Sequence, residues 1–191
     1  MKKTTHIAVT GVLAAAMIGG AVLTAAAAKE IRPITPVKPR PIVVLPVKEL
    51  PKQQIPLLKQ MEEQLRERCA EYGVPFSIAL GVIEAMSDFN NSYHGSQLGA
   101  ERVGYMGVPI DTPSLFSDLK EVNVADAYGN FRAGCYLLGW LRARHESWQE
   151  TLLCYDVGEG NAMRYFIPFG ETTDFARAAF KAALQWEMVL G

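Results

Sequence analysis

The chain has 191 residues, 49% of them hydrophobic, and a formal net charge of −1; this is enough apolar material for one packed domain with appendages and too much for a wholly disordered chain. The charge is unevenly spread, with 11 Lys and Arg against 18 Asp and Glu from residue 57 onward, and an acidic body is repelled by a phosphate backbone, which argues against nucleic acid as a partner. Three cysteines, Cys69, Cys135 and Cys154, show no C-x-x-C or Cys/His spacing, so no metal site is expected; they read as buried thiols on helices, with a single disulfide of unassigned pairing as the alternative in an exported chain.

Residues 1–28 open with Lys2 and Lys3, continue in a mostly apolar run from Ile7 to Ala28, and end in Ala26-x-Ala28 before Lys29. This is the pattern of an export signal, and its apolar length also suits an uncleaved membrane anchor. Residues 29–56 carry prolines at 33, 36, 39, 41, 46, 51 and 56, a density that forbids helix and central strand and predicts an extended polyproline tether. Any membrane contact is expected only through this N-terminal part.

A third region, 57–191, carries the periodic segments. Leu58, Met61, Leu65 and Cys69 fall on one stripe, which predicts a helix from residue 57 to Gly73. A second helix follows Pro75, with Ile78, Ala79, Val82, Ile83 and Met86 at three- and four-residue intervals, running out in the polar cluster Ser87 to Asn91. Residues 92–102 read as a polar loop, 103–110 as an apolar segment, and 112–124 as a turn with a short helix. Asn130 is expected to cap a helix running to about Ser147, in which Gly134 permits close packing. Residues 175–189 predict a last amphipathic helix with Ala179, Leu184 and Trp186 in the core. His94 and His145 are expected to face solvent.

Four of these segments carry a resemblance. Tyr72 to Pro75, Ala79, Leu80, Val82, Ile83, Glu84, Ser87, Phe89 and Asn90 resemble, without a gap, the signature helix of the lysozyme-like soluble lytic transglycosylases. Gly104, Met106 and Val108 are similar to that family's G-L-M-Q-I segment, with Tyr105 for the leucine and Gly107 for the glutamine. Asn130 to Leu138 resembles its N-I-x-x-G-x-x-Y-L helix. Leu152 to Gly160 resembles L-x-A-Y-N-x-G-x-G, with Cys154 for the alanine and Asp156 for the asparagine. Tyr165 fits a later family tyrosine. The resemblance covers residues 57–166 and implies an all-α, lysozyme-like domain of five to seven helices acting on peptidoglycan glycan strands without a cofactor.

The resemblance also implies a chemistry. One glutamate of the family protonates the leaving oxygen of the MurNAc–GlcNAc bond and then helps close a 1,6-anhydro ring. In this chain that place is held by Met86, which has no proton to give. The glutamate that remains, Glu84, lies two positions earlier, a rotation of roughly 200° about the helix; it is the candidate catalytic residue if the chain is active, and Asp88 and Asp156 are the other carboxylates at hand. Ser87, Tyr105, Met106, Tyr155 and Asp156 are the candidate substrate-binding residues. Gly107 offers no amide to a sugar, and Asp156 exchanges an amide for a group that only accepts. Three functions follow: a degenerate member that binds glycan without efficient cleavage, a working transglycosylase using Glu84, or a scaffold of an envelope assembly.

Overall fold

A computed structural model describes residues 54–191. The segment read as an export signal and nearly all of the stretch read as a proline-rich tether therefore lie outside the described residues. What is described is mainly helical, in the order α1 (Lys59–Tyr72), α2 (Phe76–Ser87), β1 (His94–Gln97), β2 (Ala100–Val103), β3 (Val108–Pro109), α3 (Thr112–Leu115), α4 (Ala127–Arg142), α5 (Trp148–Val157), α6 (Glu159–Asn161) and α7 (Asp174–Leu190). Among the described residues no helix is long and apolar enough to cross a membrane.

Helix α2 is the centre. From Ser77 to Ile83 every residue is buried, so the helix is enclosed on all sides rather than resting one stripe on a core. Pro75 sits at its N-cap, one position before the first turn where it was expected. Its principal neighbour is α7, and Gly81 is why the two approach so closely. A Cβ at residue 81 would lie 2.4 Å from the Ala179 carbonyl oxygen and 2.9 Å from the Ala183 Cβ. At the far end, Trp186 of α7 is buried and stands edge-on to Phe89 at 6.0 Å. Leu184, expected in the core with Ala179 and Trp186, is 50% exposed; it falls on the flank of α7 that faces an open groove between α5 and α7.

Helix α1 ends on Gly73 in the left-handed conformation (φ 66°), whose amide donates to the Cys69 carbonyl, the glycine stop read from the sequence. The helix starts at Lys59, two residues later than expected, with Leu58 at the N-cap. It packs on α4, where Gly139 lies against the Tyr72 backbone and Tyr72 meets Tyr136 edge-on at 5.6 Å. The Cys69 and Cys135 sulfurs face each other across this contact at 3.8 Å. All three cysteines are buried and free.

The expectation of an all-α domain needs one correction. Residues 92–102, read as a loop, contain an antiparallel hairpin in which Gln97 pairs with Ala100 and His94 with Val103; β3 extends it through Val103 and Val108. The hairpin turns on Leu98 and Gly99, both at positive φ (49° and 82°), the geometry that matches the twist of paired strands. Helix α4 begins three residues before Asn130, and its N-cap is Asp126, whose carboxylate accepts from the Tyr128 and Gly129 amides.

Because the α2–α7 contact has no room for a methyl, Gly81→Ala is expected to destabilise the domain by about 1–3 kcal/mol, read as a lower denaturation midpoint with an unchanged slope in urea unfolding.

Candidate functional site

The four segments singled out in the sequence meet around one turn, Gly104 to Gly107, between β2 and β3. The turn has two glycines at positive φ (74° and 58°), and the Gly107 amide donates to the Gly104 carbonyl. The Gly104 amide donates to the Tyr93 carbonyl, and four further backbone groups of the turn are satisfied by side chains from elsewhere. The Asn130 side chain, fully buried, accepts from the Met106 amide at 2.8 Å and donates to the Val103 and Val124 carbonyls, each at 2.8 Å. Ser87 Oγ lies 2.7 Å from the Tyr105 carbonyl and 3.0 Å from that of Ile83. The Tyr155 hydroxyl donates to the Met106 carbonyl at 2.9 Å. Arg102 Nη1 donates to the Gly107 carbonyl at 2.9 Å, and its Nη2 to the Tyr155 and Asp156 carbonyls at 2.9 and 2.8 Å.

These bonds define what each predicted site residue does. Ser87 and Met106 are buried in the frame, and Met106 lies against Gly134, where a Cβ would be 2.4 Å from its sulfur; the small residue expected for close packing accommodates a turn rather than another helix. Tyr105 is half-buried, stacks on Phe131 at 5.3 Å, and directs its hydroxyl to the Met61 sulfur at 3.5 Å. Burial raises its phenol pKa. The Tyr155 phenol is raised much further, again by burial, with Arg102 opposing. Neither tyrosine is a proton donor of use near neutral pH in this setting.

Met86 and Glu84 occupy opposite sides of α2. Met86 is half-buried against the turn, and a Cβ on Gly107 would lie 2.3 Å from its Cγ. The side chain missing at 107 is thus what makes room for the methionine. Glu84 points to α7, where its Oε2 accepts from the Trp186 indole Nε1 at 2.6 Å. The rotation expected from the two-residue spacing is observed, but the glutamate is neither freely exposed nor salt-bridged: it holds a buried indole. Ser77 makes a parallel tie, its hydroxyl donating to Glu187 Oε2 at 3.0 Å.

Beyond Arg102 opens a cleft of about 390 Å³. Its apolar wall is formed by Leu115, Phe116, Leu137 and Trp140, and its polar wall by Arg102, Asp156 and Glu159; Tyr155 also borders it. Of the predicted substrate-binding residues, Tyr155 and Asp156 reach this cleft, while Ser87, Tyr105 and Met106 do not line it. Asp156 is 2% exposed, and neither of its carboxylate oxygens has a hydrogen-bond partner. The larger groove between α5 and α7, about 560 Å³, holds none of the predicted site residues.

One histidine was misplaced by the sequence reading. His94 is exposed and pairs with Glu101 at 2.8 Å across the hairpin, but His145 is buried. Its Nε2 lies 3.2 Å from both Cys154 Sγ and Glu159 Oε1, so the end of α4 folds back onto α5. The paired bonds from Arg144 hold the Glu159 carboxyl below its ordinary pKa. Burial pushes the Cys154 thiol up to about 11, which leaves the Cys–His pair without the thiolate a nucleophile needs. Among the described residues no group of His, Cys, Asp and Glu is arranged to hold a metal ion.

Three residues were not singled out as site residues beforehand: Arg102, Asn130 in its clamping role, and Trp140. Arg102 had a signal, as a lone base directly before Val103-Gly104-Tyr105-Met106 in an acidic region. No protein-family model matches the chain, and no curated protein matches it.

Two measurements bear on this frame. Asn130→Ala strips the turn of a buried donor pair and acceptor at once, and is expected to cost about 2–5 kcal/mol, read by chemical denaturation. With all three thiols buried and Cys154 raised to about 11, the native reduced protein at pH 8 should resist alkylation by iodoacetamide, and all three cysteines should label in denaturant; rapid native labelling of Cys154 would show an accessible thiolate instead.

Proposed function

We propose that this chain is an exported member of the lytic transglycosylase family that binds peptidoglycan glycan strands without efficiently cleaving them. The observation that carries the reading is the convergence of all four resembling segments on the turn 104–107, with a thioether where the family places its acid. Ser87, Asn130 and Tyr155, each matching a family position, all bind the backbone of that turn, so segments far apart in sequence act as parts of one frame. Met86 lies against Gly107 in that frame, and Arg102 and Tyr155 of the frame border a cleft with aromatic, apolar and polar lining that Met86 itself does not reach. Sugar binding suits such a surface, since ring faces stack on Trp and hydroxyls meet polar groups.

Cleavage needs a protonated acid at the glycosidic oxygen, and its loss costs about 10² to 10⁴ in rate. Glu84 is a poor substitute because its carboxylate serves the Trp186 indole on the opposite side of α2. Placement at the wall rests on the export signal and tether read in residues 1–56, which lie outside the described residues but for the last three.

The test is co-sedimentation with purified sacculi, together with mass spectrometry of the soluble fraction. Retention without anhydromuropeptides is expected. Anhydromuropeptides would make the chain an active enzyme, and absence of retention would favour a scaffold role. As a positive control on the frame, Met86→Glu, a substitution of similar length, is expected to raise anhydromuropeptide release by about 10²-fold or more; no gain in a variant of unchanged circular dichroism and melting would count against a retained glycan site.

A further inference from the structure

The cleft holds a group that the fold does not use. Asp156 lines it, is 2% exposed, and has two buried carboxylate oxygens that no donor in the chain reaches. Arg102, the nearby cation, is committed to the Gly107, Tyr155 and Asp156 carbonyls, and its own Nε is left without a partner. Glu159 is satisfied by Arg144, and Asp111 stands exposed at the rim. With Glu159 paired to Arg144, the lining sets Asp156 and the exposed Asp111 against one guanidinium that is committed to backbone carbonyls. A carboxylate removed from water without donors is unfavourable, and the imbalance is relieved by a ligand that brings both donors and positive charge.

The apolar part of the lining says what should carry that charge. Leu115, Phe116, Leu137 and Trp140 are apolar, and the Trp140 ring already has the Arg144 guanidinium 4.3 Å from its centroid, so a second cation gains little there. An aliphatic stem can lie along this wall while its charged end reaches Asp156.

We propose that this cleft binds a primary ammonium group on a short aliphatic stem, with the ammonium at Asp156 and the stem along Leu137 and Trp140. The inference deepens the wall-polymer reading and rests on it for the source of the ligand: the free side-chain amine of a diamino acid in a peptide stem, bound together with the glycan that carries it.

The experiment titrates the full chain with Nα-acetyl-lysine methylamide and, separately, with its Nε-acetylated counterpart, by isothermal calorimetry. The free amine should bind, and both Nε-acetylation of the probe and Asp156→Asn in the protein should weaken binding at least about tenfold. Equal binding of the two probes by the parent protein overturns the proposal without any variant; so does undiminished binding by Asp156→Asn, and so does no binding of the free amine at millimolar concentration. A second arm compares retention on native sacculi and on sacculi whose stem amines have been acetylated. Equal retention on both overturns the ammonium site and leaves the glycan reading standing. Calorimetric binding of the free amine with retention on neither supports the ammonium site and overturns the glycan reading.

Discussion

A tight turn carries more backbone polar groups than it can pair by itself, and burying one requires partners from elsewhere. The turn 104–107 is built on that requirement. Ser87 from the end of α2, Asn130 from the first turn of α4, Tyr155 from α5 and Arg102 from β2 each supply one or more bonds to it or to its flanks. Removing any one of these side chains strands a buried carbonyl or amide, which costs more than the hydrogen bond itself contributes. The ties from Ser87, Asn130 and Tyr155 are thus consequences of one local shape, and that shape depends on glycines at 104 and 107 that tolerate positive φ.

The same frame explains the division of labour along α2. A helix enclosed on all sides presents each side chain to a different neighbour, so residues two apart serve different parts of the protein. Met86 belongs to the turn and Glu84 to α7. A carboxylate bound to an indole N–H in a half-buried setting has given up one of its acceptor positions. The chemistry available on the turn side of the helix is accordingly that of packing and shape, not of proton transfer.

Much of the helical framework was legible because three- and four-residue spacing survives in the sequence: α1, α2 and α7 lie where the periodicity put them to within about two residues, while α4, expected from Asn130 to about Ser147, runs from Ala127 to Arg142 and leaves Ser147 to cap α5. The hairpin was not, since His94 to Gln97 and Ala100 to Val103 lack the alternating apolar pattern that marks a strand, and Leu98-Gly99 is an unusual pair for the turn that makes it. Asn130 was read from its residue type as a cap; its polar groups go instead to Val124 just before the helix and to Val103 and Met106 more than twenty residues away, and those distant partners leave no local trace. His145 follows the same logic, since nothing near it in sequence announces Glu159. Asp156 was singled out for the chemistry of its side chain, but its lack of any donor emerged only from the packing around it.

The anchoring of Arg102 makes the cleft mechanically lopsided. By reaching carbonyls on both the turn and the end of α5, that side chain staples the sheet to the helix, so the polar wall is one stiff body. The facing wall is partly different in kind: next to the long helix α4 it includes the four-residue α3 and the single 3-10 turn Ser117–Leu119, with Leu115 68% exposed. Short elements held by few buried side chains yield before long ones do. Residues 111–119 are therefore the side of the cleft that yields first, and the face held by Arg102 the side that keeps its shape.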